Sequence, residues 1–199
     1  MNKFVKLPLF LGIVGGICTA ALAATYGITN PEFEKRETER KNAAFKDILV
    51  GFGLTNEDGS IKTGVETIAY VVEPEAEGEL ELTKNLTKVG ITRKVSISFE
   101  DKVVGAFYEG SATGFNADEP VSFQLSFKDD KCYSLTLNHY ESGPGISFMD
   151  KVPGLVKDKE LTYFTSASFD TDLGSGATFS KGAIMPAVVA AAKDYAASL

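Results

Sequence analysis

The chain has 199 residues and a formal net charge of −7, and its 44% apolar and 24% charged residues are those of one folded domain with an appended segment. That acidic balance argues against nucleic-acid binding, which at this size would show a basic face. One histidine and two cysteines are too few for a multi-histidine metal site, a four-cysteine zinc site or an iron–sulfur cluster, so any redox chemistry falls to an organic cofactor.

The stretch from Leu7 to Ala24 carries no charge and extends through Tyr26 and Ile28 before Glu32. At 1.5 Å rise per residue it is close to the span of a bilayer core, so residues 1–28 are predicted to form a membrane anchor. Lys3 and Lys6 precede it and no Lys or Arg follows until Lys35, which leaves the N-terminus in the cytoplasm and sends the domain across the membrane. The alternative is a signal peptide cleaved after Ala23, because Ala21-Leu22-Ala23 fits the small-residue cleavage pattern. Either way the remainder lies on the extracytoplasmic side. Cys18 follows Ile17, where a lipidated cysteine needs a small neighbour, and Gly12 with Gly16 offers a close-approach face for a partner helix.

Residues 29–51 predict a charged, juxtamembrane amphipathic helix ending at Gly51, and 52–199 the main domain. Within it, Glu66–Glu73 predicts a strand and residues 74–81 an acidic loop. Lys94–Phe99 and Val103–Tyr108 form a hairpin about a turn at Glu100-Asp101-Lys102. Val121–Phe127 alternates strictly between apolar and polar, Lys128–Lys131 turns the chain, and the return strand sets Tyr133, Leu135 and Leu137 against Cys132, Ser134 and Thr136. The same parity puts His139 and Glu141 on the apolar side. Gly145–Val156 predicts a short helix stopped at Pro153-Gly154, Leu161–Phe169 a further strand, and Ala183–Leu199 a helix with Pro186 in its first turn. The fold class is α+β: a mainly antiparallel sheet with flanking helices, plus one N-terminal transmembrane helix.

Chemistry concentrates near residue 172, where Asp172-Leu-Gly-Ser175-Gly176-Ala177-Thr178 leads from strand-like into helix-like sequence. Small residues before Thr178 leave its hydroxyl accessible, and the amides of a helix start make a phosphate seat. The alternative is a plain helix cap, with Ser175 or Thr178 at the N-cap.

The run Asp172-x-x-Ser175-Gly176-Ala177-Thr178 resembles the flavinylation motif of the FMN-binding domain family. That family includes the G subunit of the Rnf ion-translocating electron-transport complex and the C subunit of the sodium-translocating NADH:quinone reductase. The superficially similar Gly110-Ser-Ala-Thr113 has Phe107 where the motif needs Asp and fails the pattern. A second segment, His139-Tyr-Glu141-Ser-Gly-Pro144-Gly145-Ile146, is similar to the family's histidine–glutamate–proline–glycine stretch after a strand, but with an extra Gly143 and with Ser147 in place of its final glycine.

The resemblance implies covalent FMN, joined through its phosphate to Thr178 by a flavin transferase that takes it from FAD, with Asp172 and Ser175 recognised by that enzyme. Glu141 would position the ribityl chain or the motif loop, or else cap a turn, and His139 would be a flavin-site residue or a strand-end histidine bonded to backbone. The implied function is a membrane-anchored electron carrier among the other membrane subunits of an Rnf-type translocase. A free-standing extracellular flavin shuttle and a non-redox scaffold of the same fold are the alternatives. No dinucleotide fingerprint is present, so NAD(H) is not expected to bind.

Overall fold

The computed structural model describes residues 45–75, 77–139, 142–166, 169 and 177–199. The chain divides into two compact units, Met1–Leu49 and Val50–Leu199. The expected membrane anchor and the first part of the expected 29–51 helix lie outside the described residues; 45–51 is helical, ending at Gly51 as expected. Among the described residues no helix is long and apolar enough to cross a membrane.

The second unit is α+β. Its six strands are β1 (Val65–Val71), β2 (Leu80–Glu81), β3 (Ile91–Phe99), β4 (Lys102–Ala112), β5 (Val121–Lys128) and β6 (Lys131–Asn138). They form one open sheet in the order β2-β1-β3-β4-β5-β6, antiparallel throughout except for the short parallel pair of β1 and β2. Helices α1 (Lys84–Thr87), α2 (Pro144–Val156), α3 (Leu161–Phe164) and α4 (Thr178–Ala196) accompany it. Both long hairpins turn on two acidic residues at positive φ, Glu100-Asp101 and Asp129-Asp130, as the right-handed twist of the flanking strands requires.

Alternation sorts the sheet into two faces. Tyr108, Phe123, Leu125 and Phe127 point to the helix side, where Met149, Val152, Ile184, Val188 and Tyr195 close a core. Phe127 stacks on Tyr195 with ring centroids 5.6 Å apart and meets Phe164 edge-on. Each such side chain contributes about 1.5–3 kcal/mol through burial. Val95, Ile97 and Phe107 are buried on the opposite face. There Gly105 leaves the space that the Phe52 ring fills.

Several expectations are corrected. Residues 80–81, expected in a loop, form β2. Leu161–Phe169 is not a strand: α3 covers its start and Phe169 is helical. Its β-favouring composition yields to an aromatic cluster of Tyr163, Phe164 and Phe169, whose centroids lie 5.3–5.5 Å apart. Helix α2 runs through Pro153 to the fully buried Val156. Helix α4 starts at Thr178, not Ala183, so Pro186 lies inside it, beyond the first turn. A bulge between Ser126 and Phe127 shifts the β5–β6 register, so Cys132, not Tyr133, joins Leu135 in the core. Tyr133 turns to the other face, against Gly51 and Phe52.

A polar anchor ties α4 to the sheet. Asp194 Oδ2 lies 2.6 Å from Lys94 Nζ and accepts a hydrogen bond from the Tyr108 hydroxyl at 2.8 Å. The ammonium also sits 5.1 Å from the centroid of the Tyr70 ring. Lys94 is only 8% exposed, so its charge depends on this partner. Asp194→Ala should therefore cost about 3 kcal/mol in denaturant unfolding, and Lys94→Met with Asp194→Asn, which removes the buried charges together, should recover most of it.

Burial, helped by Asp158, pushes the Cys132 thiol up from 9.0 to about 12, and burial with Asp130 and Asp129 pushes the Tyr195 phenol up from 10.0 to about 12. The fold thus favours the neutral forms. Their contribution is complete below the unfolded thiol value and is lost as pH rises from 9 towards about 12. Unfolding midpoints should fall across that window, less steeply in Cys132→Ala. Peptide mapping at pH near 8 should find Cys132 alkylated only in denaturant.

Candidate functional site

Thr178 is the first residue of α4 and is exposed; the N-cap is Ala177, half-buried. No cap side chain bonds to the helix start and its first turn holds no acid. The ladder begins with Lys181 N–H donating to the Ala177 carbonyl at 2.8 Å. The cap reading of Thr178 is therefore corrected: its hydroxyl stands at the positive end of a 19-residue helix without serving as the cap. Such an end accepts an anion, and the adjoining hydroxyl can carry a covalent phosphate. Asp172, Ser175 and Gly176 lie outside the described residues.

Strand register places His139, the start of the second sequence segment, at one end of the sheet. Ala112 pairs with Val121 and Ser122 with Asn138, so the ends of β4 and β6 and the start of β5 share one sheet end. His139 follows β6 there, and α2 begins at Pro144 after Gly143, whose φ of 56° and ψ of −128° only glycine adopts readily. The residue that departs from the family pattern is thus the one the helix entry requires. Pro144 is exposed at the first helical position and Gly145 is buried. His139 Nε2 lies 3.8 Å from Asp150 Oδ1, while Nδ1 is buried with no hydrogen-bond partner among the described residues. The expected backbone bond to this histidine is not formed there. Glu141 lies outside the described residues.

Close to the start of α4 a cleft of about 380 Å³ opens between the turn after α1, the end of β4 and the α4 face. Thr87, Lys88, Ser111, Thr113, Gly182 and Pro186 line it. Two glycines make the wall possible. Gly90, at φ +82°, lies so close to the end of β4 that any Cβ would strike the Ser111 carbonyl, and a Cβ on Gly110 would strike the Gly90 carbonyl. In return Ser111 N–H donates to that Gly90 carbonyl at 2.9 Å. Inside α4, Pro186 has no N–H, so the carbonyl of the cleft-lining Gly182 four residues earlier loses its helical donor. Two residues past Thr113 and three before Gly182, Phe115 and Phe179, 63% and 68% exposed, meet with centroids 6.1 Å apart.

None of these cleft residues stood out as a site in sequence. Thr113 entered only as a failed match, yet it lines the cleft; the Gly182–Pro186 spacing within a helix was the available signal. A larger groove of about 790 Å³ runs between α1 and the later part of α4, past Leu86, Met185 and Val189 to Asp194. Its walls are mostly apolar, though Thr83, Asn85 and Lys193 also line it, and Asp194 is engaged by Lys94 and Tyr108, so the smaller, more polar cleft is the better site for a hydrogen-bonding ligand.

No model of a known protein family matches the chain, and no curated protein matches it. Gly90→Ala should lower stability by about 1–3 kcal/mol from the left-handed backbone alone. Thermal melting should show a drop larger than for Gly154→Ala, whose added Cβ meets nothing.

Proposed function

We propose that this chain is an electron-transfer flavoprotein of the FMN-binding domain type, carrying FMN as a phosphoester on Thr178. It serves as the anchored, extracytoplasmic relay subunit of an Rnf-type ion-translocating oxidoreductase. The observation that carries the reading is the setting of Thr178, the last residue of the motif: an exposed hydroxyl on the first residue of a long helix with no side-chain cap. A phosphate joined there meets the amides of the first turn and the positive end of the dipole. His139 follows β6 at the sheet end where β4 runs into the cleft-lining Ser111 and Thr113, which supports the same reading.

Attachment is a phosphoryl transfer. Thr178 Oγ attacks the FMN-side phosphorus of FAD, the pyrophosphate bond breaks, AMP leaves, and the hydroxyl proton passes to a base of the flavin transferase. Once bound, the flavin supplies electron transfer; the tether joins it at the phosphate, remote from the redox-active ring. The chain's own task is to hold that phosphate and shape the surroundings of the ring.

Co-expression with a flavin transferase tests this. Wild type should gain the mass of one FMN adduct and keep its yellow colour through denaturation, and Thr178→Ala should lose both. Asp172→Ala should load poorly while melting at the wild-type temperature. A wild-type chain without adduct under those conditions would overturn the reading.

A further inference from the structure

We propose that the cleft beside α4 is the seat of the flavin ring, with its polar end formed by the Gly182 carbonyl, Ser111, Thr113 and Lys88. The inference rests on the attachment at Thr178 proposed above and goes beyond it by assigning residues that the motif does not contain.

Helical spacing provides the first link. Thr178 and Gly182 are four apart, so they stand on one face of α4, separated by about 6 Å along its axis. The extended ribityl chain of FMN is longer than one helical turn. A phosphate on Thr178 therefore leaves the level of Gly182 within reach of its ring. At that level the helix has no side chain, and a Cβ built on Gly182 meets nothing within 4 Å. The space lies open at about 380 Å³, within the range of small-molecule sites.

The second link is chemical. The pyrimidine end of an isoalloxazine presents one N–H donor between two carbonyl acceptors. The cleft presents the matching groups: the Gly182 carbonyl, deprived of its helical donor by Pro186, and the hydroxyls of Ser111 and Thr113. A carbonyl without its helical donor is an unusual thing to find beside a cleft, and a ligand N–H satisfies it. Lys88 adds a positive charge to the lining, which favours electron uptake by a ring placed there.

The third link is a pair of aromatic rings. Phe115 and Phe179 are two of the most exposed large apolar side chains described, and they meet each other across the gap between the loop after β4 and the start of α4. Phe179 adjoins Thr178 itself. Exposed aromatic rings at this position supply an apolar surface to the dimethylbenzene end of the flavin, the end opposite its hydrogen-bonding edge.

The test uses the full chain, co-expressed with a flavin transferase, as wild type and as Gly182→Leu. Because the Gly182 Cβ points into open space and leucine is the better helix former, the variant should fold and melt no lower than wild type. Intact mass reports attachment; visible circular dichroism and fluorescence anisotropy of the attached flavin report whether its ring is held. In the wild type the ring should give an induced visible band and tumble with the protein. Gly182→Leu should load to the same mass, lose the band and lose at least half of the anisotropy. Full loading with band and anisotropy unchanged overturns the seat and leaves the attachment standing. No adduct on the wild type overturns both. Lys88→Gln, on the exposed side of the cleft, gives an independent reading should the leucine hinder the transferase. It should load fully and lower the flavin midpoint potential, and an unchanged potential overturns the seat.

Discussion

Asp194 accepts from two strands at once, taking the Lys94 ammonium of β3 and the Tyr108 hydroxyl of β4 on a single carboxylate oxygen. A buried ammonium is tolerated only with its counter-charge in place, so this contact fixes how far along the sheet α4 can lie. The apolar core beneath would accept small slides of the helix, since dispersion is non-directional. The ion pair does not. Everything at the far end of α4 inherits its position from that lock: Thr178 at the helix start, the bare stretch at Gly182 and the proline after it.

The same two elements build the site. Strand β4 carries Tyr108 in the lock and Ser111 in the cleft wall, with Thr113 just past its end, and α4 carries Asp194 and then, toward its start, Pro186, Gly182 and Thr178. Anchor and cleft are therefore parts of one rigid pair. This is a sound arrangement for a tethered cofactor, whose attachment fixes only one end. For the proposed flavin, the tether would limit where the ring can go and the rigid wall would determine where it rests. The glycine crossing of Gly90 and Gly110 completes the wall by bringing the turn after α1 against the end of β4.

Periodicity made the sheet legible. The strict alternation of β5 and the acidic turns between its neighbours lie close to where the sequence places them. What escaped were features decided by tertiary partners. The bulge opposite Ser126 exchanges Cys132 and Tyr133, because a 2-residue period cannot register one extra residue. Leu161–Phe164 looks β-like until Phe127 and Phe169 offer it a cluster. Pro186 suggested a helix start, and the burial of Ile184, Ala187 and Val188 carries the helix across it. At the site, the motif ending at Thr178 was readable as a linear pattern. The cleft was not, since Lys88, Ser111 and Gly182 come from three separate stretches that only the register brings together.

The two acidic hairpin turns bear on how this protein can change. Glu100, Asp101, Asp129 and Asp130 all hold a left-handed backbone that glycine or asparagine occupies at lower cost. They lie at the end of the sheet opposite the β4 terminus and the start of α4. Stability is thus held in reserve at one pole, where substitutions touch nothing of the cleft. A lineage of this chain has room to strengthen its turns and spend that margin on altering the walls around Gly182. In evolutionary terms, the pole remote from the cleft sets how freely the cleft can vary.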